Sequence, residues 1–181
     1  MNIKITSQEF YSIWKDVVSI NKETLLAKWK LFRAYTYEII NKDHSVIETV
    51  AKELGLCCYT TNYYSLDSVL YTKEDVVPHI KENTHWFREI KVAFEHENSF
   101  NKNLYQEVSH LLITRCQLRV LVTYPNNNKN HILEYLHEII KGTSIEKEIS
   151  DSESFLLILG YETDFEWEGL VYKSNGWFKI S

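Results

Sequence analysis

Residues 117–124 constrain the fold more than any other stretch. Leu118, Val120, Leu121 and Val122 make it almost continuously apolar, and Pro125 followed by three asparagines stops it. A strand with one wet face alternates apolar and polar residues, whereas an apolar run of this kind belongs to a strand buried on both faces. We expect it to be the central strand of a sheet. Helical patterns flank it: Leu104, Val108, Leu111 and Leu112 before it, and Ile132, Leu133, Leu136, Ile139 and Ile140 over about residues 129–141 after it. A strand–helix–strand passage favours a parallel pair packed by helices.

The rest of the chain supplies the other elements. Ser7 and Glu9 open a helix over about residues 7–20 with the stripe Phe10, Ile13, Trp14, Val17 and Val18. A second helical pattern turns Leu25, Leu26, Trp29, Leu31 and Phe32 inward and continues towards Ile40. Lys22, Lys28, Lys30 and Arg33 lie on its other side, either as a solvated face or as phosphate contacts. Asp43 is placed to cap a third helix whose stripe is Val46, Ile47, Val50 and Leu54, with Gly55 as its stop signal. Residues 56–71 turn β-branched, aromatic and small, which predicts one or two strands, and residues 90–98 predict another. Further strands are expected at 155–160 and 170–172, with 176–180 as an edge strand. The predicted class is α/β, a mixed sheet flanked by helices with an N-terminal helical segment. A length of 181 residues with only five Gly and two Pro leaves little room for linkers, so one domain is expected. Within it, residues 1–42 form a helical part, 43–125 the core, and 126–181 a helix plus closing strands.

A net charge of −5 argues against a protein that coats DNA through uniform positive charge, while allowing a local positive groove. Cys57, Cys58 and Cys116 sit in apolar runs without zinc-ligand spacing and are expected to be free thiols in a reducing compartment. The first ten residues carry no basic-then-apolar leader, and no apolar run approaches the roughly 18 residues of a membrane span. The expectation is a cytoplasmic protein without membrane contact.

The chemistry concentrates in residues 90–98, Ile-Lys-Val-Ala-Phe-Glu-His-Glu-Asn. Alternation in a strand puts Glu95 and Glu97 on one face, together with Lys91, and turns Val92, Phe94 and His96 to the other. Adjacent carboxylates repel unless a cation, a shared proton or water relieves them. Asp67 raises the same question, because it stands between Leu66 and Val69, where a charge is costly unless bound or hydrogen-bonded. An acid in one strand followed by two on the next is a layout that converges on one hard cation, since Mg²⁺ takes oxygen ligands and keeps several waters.

Leu66-Asp67 and Glu95-His96-Glu97, with a helix before Asp67 and a helix and strand after Glu97, resemble the PD-(D/E)XK nuclease superfamily in its Asp…Glu-x-Glu form. The likeness covers residues 43–124. It implies a restriction endonuclease-like fold and metal-dependent phosphodiester hydrolysis with Mg²⁺ or Mn²⁺. It also implies Asp67 and Glu95 as metal ligands with the His96 carbonyl, and Glu97 as ligand and as the group that positions or deprotonates water. Glu53 on the preceding helix would be an accessory ligand. Lys91 would be either a phosphate contact or the partner of neighbouring acids. The implied partner is nucleic acid, DNA ahead of RNA, with a homo-oligomer left open. Two positions depart from the family pattern: Leu66 stands where it has Pro, and Glu97 where it has the Lys that stabilises the pentavalent phosphate.

Other signals carry less. His137-Glu138-Ile139-Ile140-Lys141 lacks the second histidine of a helical zinc motif, and His96, His110 and His131 lack metal-ligand spacing, so each reads as a surface or hydrogen-bonded histidine. No nucleophile elbow or phosphate-binding glycine loop is present. The alternative to a nuclease is a non-enzymatic interaction, immunity or regulatory protein on the same fold.

Overall fold

The apolar run around Val120 folds as β4 (Cys116–Thr123), the fourth of seven strands, and six of its eight residues are buried. The structure is a computed structural model that describes residues 4–81 and 84–181. Met1 to Ile3, the start of the stretch read for a leader, lie outside the described residues, as do Glu82 and Asn83.

The sheet follows chain order. β1 (Cys57–Tyr59), β2 (Ser68–Tyr71) and β3 (Ile90–Glu97) form an antiparallel meander. β3, β4 and β5 (Phe155–Tyr161) run parallel, and β6 (Glu166–Lys173) and β7 (Gly176–Ile180) return antiparallel. The parallel pairs require long crossovers. The first carries α5 (Tyr105–Ile113), and the second carries α6 (Lys129–Lys141) and α7 (Glu146–Ser152). The architecture is therefore α/β, a seven-stranded mixed sheet with helices on both faces.

Each sheet face has its own core. Val92, Phe94, Val120, Val122, Leu156 and Ile158 pack under α1 (Ser7–Ile20) and α4 (Val46–Glu53), with Phe10 and Trp14 fully buried between the layers. Ala93, Leu121, Leu157 and Leu159 pack on the other face against Val108 and Leu111 of α5 and Leu136 and Ile140 of α6. A buried indole such as Trp14 is worth about 3–5 kcal/mol against alanine, so this first helix anchors one whole face.

Four expectations change in detail. The cap of α1 is Thr6, whose hydroxyl accepts the Glu9 N–H at 3.2 Å, and the cap of α4 is Ser45 rather than Asp43, because a left-handed His44 (φ 60°) turns the chain between them. The second helical pattern is not continuous: it breaks into α2 (Lys22–Lys28), α3 (Phe32–Thr36) and a π-helical turn over Tyr37–Asn41. The break rotates Leu31 and Phe32 to solvent, 59% and 62% exposed, instead of inward. Its cause is Trp29, which packs edge-on against Tyr35, Tyr124, Phe165 and Trp167 and holds the chain there while the following turn swings outward. Asp67 lies just before β2 rather than inside a strand. It follows a tight turn in which Asn62, Tyr64 and Ser65 adopt positive φ.

Candidate metal centre

Because β2 runs antiparallel to β3 with Ser68 opposite Phe94, one further step of the register sets Asp67 beside Glu95. Two hydrogen bonds fix that approach. The Asp67 N–H donates to Glu95 Oε2 at 3.2 Å, and the His96 N–H donates to Asp67 Oδ2 at 2.8 Å. The carboxyl of Asp67, just before β2, thus meets that of Glu95 at the C-terminal end of β3. This is the end of a parallel unit where open α/β sheets place their ligands.

Helix α5 closes the site from the side. Leu104, Val108 and Leu111 turn inward against the sheet, which leaves Glu107 and His110, one turn apart, on the flank that faces Glu95. His110 Nδ1 lies 3.3 Å from Glu95 Oε1 and 3.5 Å from Glu107 Oε2, and ligand atoms of all three residues fall within 4.8 Å of one another. Glu95 is buried, while His110 and Glu107 keep partial access to water.

The electrostatics are those of crowded acids. Burial, then the charges of Asp67 and Glu107, push the Glu95 carboxyl up to about 10. Burial also raises Asp67, against the downward pull of the His96 N–H. Glu107 is raised by burial too, with Asp67 and Glu97 adding to the rise and His110 opposing it. Among the described residues, neither Lys nor Arg forms an ion pair with Asp67, Glu95, Glu97 or Glu107. Crowded buried acids are relieved by a retained proton or by a cation from outside. The donor set of carboxylate oxygens and one imidazole nitrogen suits a divalent metal ion.

The structure therefore brings together Asp67 and Glu95, and the charge of Glu97 reaches both Asp67 and Glu107. Glu97 also accepts the Ser99 N–H through Oε1 at 2.6 Å, which steadies the loop after β3. Two predicted site residues are placed elsewhere. Lys91 shares the face of Glu95 but sits four residues earlier, about 13 Å along the strand. It is buried there against Asp75 Oδ1 at 3.3 Å and Glu89 Oε1 at 3.1 Å, which is the acid-partner role rather than the phosphate contact. Glu53 is exposed on α4, which packs on the opposite face of the sheet, beside His44, Glu48 and Lys52. The basic stretch spends much of its charge internally. Lys28 and Lys42 both hold the buried Glu38, and Lys30 pairs with Glu162 at 3.2 Å.

His96 is a core residue of the other face. Its Nε2 is 2.8 Å from the Tyr124 hydroxyl, and burial drives its basicity down to about 3. His110, expected as a surface or hydrogen-bonded histidine, is placed 3.3 Å from Glu95 Oε1 and groups with Glu95 and Glu107 as a candidate metal ligand. The signal present was Glu-x-x-His on a helix, a spacing that sends two ligands from one helix into a carboxylate metal site. No helix among the described residues is long and apolar enough to cross a membrane. No family model matches the sequence, and no curated protein or solved structure is significantly similar to it.

Proposed function

We propose that the protein is a metal-dependent nuclease of the restriction endonuclease-like class, hydrolysing phosphodiester bonds at the Asp67–Glu95 site. One observation carries the reading. The carboxyls of Asp67, just before β2, and Glu95 of β3 abut in a buried corner, without Lys or Arg pairing among the described residues, at the end of β3. The element order supports it, since α4 precedes Asp67 and α5 and β4 follow Glu97, which is the order the resemblance implies.

Asp67 and Glu95 would hold the ion, Mg²⁺ or Mn²⁺. When bound, the ion supplies Lewis-acid stabilisation of phosphoryl charge and lowers the pKa of a bound water. The chain does the remaining work. The His96 N–H fixes the Asp67 carboxylate, and the Asp67 N–H fixes that of Glu95, so neither rotates away from the other. Glu97 stands one strand position beyond His96, half-exposed, and serves as the acceptor that orients water and takes its proton. Nucleic acid is the substrate, with DNA the first to try.

The test is cleavage of single- and double-stranded DNA and RNA at low salt, with each divalent ion and with chelator. Asp67→Ala should abolish cutting together with the cation binding that depends on Asp67. Glu97→Gln should keep binding and lose turnover, because an amide coordinates through oxygen but cannot accept the proton. Absence of divalent-dependent cleavage on every substrate would overturn the nuclease reading and leave the interaction protein.

A further inference from the structure

The half of the site contributed by α5 has a chemistry that an acids-only centre lacks. Two ligand atoms each about 2.1 Å from one ion, at angles between tetrahedral and octahedral, stand about 3 to 3.5 Å apart. The separations from His110 Nδ1 to Glu95 Oε1 and to Glu107 Oε2 are 3.3 and 3.5 Å, so each of these two pairs is spaced as ligands of a single ion, and all three ligand atoms lie within 4.8 Å of one another. Glu107 and His110 are also related as Glu-x-x-His on one helix face, and Val108 and Leu111, both fully buried, lock that face against the sheet.

We infer that Glu95, Glu107 and His110 form a mixed oxygen–nitrogen position that binds a first-row transition-metal dication such as Mn²⁺, Co²⁺ or Zn²⁺ in preference to Mg²⁺. The imidazole nitrogen of His110 decides the preference. Mg²⁺ gains little from a nitrogen ligand and dehydrates reluctantly, whereas the later first-row ions favour imidazole increasingly along the series. Glu95 is shared: Oε2 takes the Asp67 N–H, and Oε1 faces His110. The position thus adjoins Asp67 without coinciding with it. This inference rests on the proposed function only in that both need a cation beside Glu95. Cutting of nucleic acid is no part of it.

The experiment uses the purified full chain with Mn²⁺, Co²⁺ or Mg²⁺ alone and no substrate. Electron spin echo spectroscopy of the Mn²⁺-bound protein should show a directly coordinated nitrogen, and protein grown with ¹⁵N-histidine should convert the ¹⁴N modulation to ¹⁵N. That measurement needs no variant. His110→Ala should remove the nitrogen coupling and the visible Co²⁺ spectrum of a mixed site. It should also lower the Mn²⁺-over-Mg²⁺ affinity ratio by about tenfold or more. Glu107→Gln should weaken Mn²⁺ and leave the nitrogen coupling of the remaining bound ion. Mn²⁺ bound without nitrogen coupling, or an affinity ratio unmoved by His110→Ala, would overturn the inference and reduce His110 to a hydrogen-bond partner of the two carboxyls. Divalent-dependent cutting together with that result would leave the nuclease reading standing. Nitrogen-coupled Mn²⁺ with no cutting under any condition would remove the nuclease and keep the metal site. A protein that binds none of the three ions would refute both.

Discussion

Replacing Lys91 by methionine separates a structural lysine from a catalytic one. The ammonium lies in a buried corner, 5% exposed, between Asp75, itself 8% exposed, and the half-exposed Glu89. Methionine keeps the packing of the stem but leaves Asp75 buried beside no cation. Breaking a buried pair from one side costs about 3–5 kcal/mol. Asp75 keeps the Thr72 N–H and hydroxyl as donors, at 2.7 and 2.8 Å, so the lower end, about 3 kcal/mol, is expected here. For a chain of this size that is about 6–12 °C in Tm. The pH dependence has a definite sign. Burial pushes the Asp75 carboxyl up, but Thr72 and Lys91 outweigh it and hold it below its ordinary value. The carboxylate therefore contributes stability that is present above its unfolded value of about 3.9 and lost as pH falls through the lower folded value. The gap between wild type and Lys91→Met should accordingly be widest near neutrality and narrow on acidification below about pH 4. Urea titrations followed by tryptophan fluorescence, run across pH with Asp75→Asn and the double variant, measure both the cost and the coupling. A Lys91→Met protein that melts with wild type but loses metal-dependent cutting would refute the reasoning and return Lys91 to the phosphate.

Three further outcomes follow from the packing. A Cβ at Gly160 would stand 2.8 Å from ring carbons of both Trp167 and Tyr124, so Gly160→Ala should cost about 1–3 kcal/mol in a denaturant titration. Leu31→Ser and Phe32→Ser should each change stability by no more than about 0.5 kcal/mol, since both side chains are largely in water; a larger loss would restore the inward reading of that stretch. Glu95→Gln should raise Tm in chelator, because it removes one of the crowded carboxyls while keeping an acceptor for the Asp67 N–H, and should abolish divalent-ion binding measured by calorimetry.

What the sequence made legible depended on how one-sided each element is. α1 and α6 emerged with their observed ends because Phe10, Trp14 and Val17, or Ile132, Leu136 and Ile140, form a single buried stripe beneath polar flanks. α7 was missed because Ile149 is the one apolar side chain it buries, which leaves no stripe to detect. The break after Trp29 was invisible for another reason: the rings that hold Trp29 include those of residues 124, 165 and 167, far away in the chain. Asp67 and Glu95 stood out because they interrupt apolar runs. Glu107 and His110 did not, because a polar residue on a helix flank looks the same whether it faces water or a metal.

The placement of Lys91 carries the limit one step further. A period of two assigns Lys91, Glu95 and Glu97 correctly to one face of β3, yet it is silent about what meets each of them along the strand. That is settled by the antiparallel turn of β2. Asp67, which precedes β2, is delivered to the end of β3, and Asp75, which follows β2, is delivered to its beginning. One short strand therefore sorts two acids to opposite ends of its neighbour. At one end the acid meets a lysine and becomes a buried ion pair that stabilises the fold. At the other it meets a second acid without Lys or Arg pairing among the described residues, and burial and crowding raise both carboxyls, so that corner favours a shared proton or a cation.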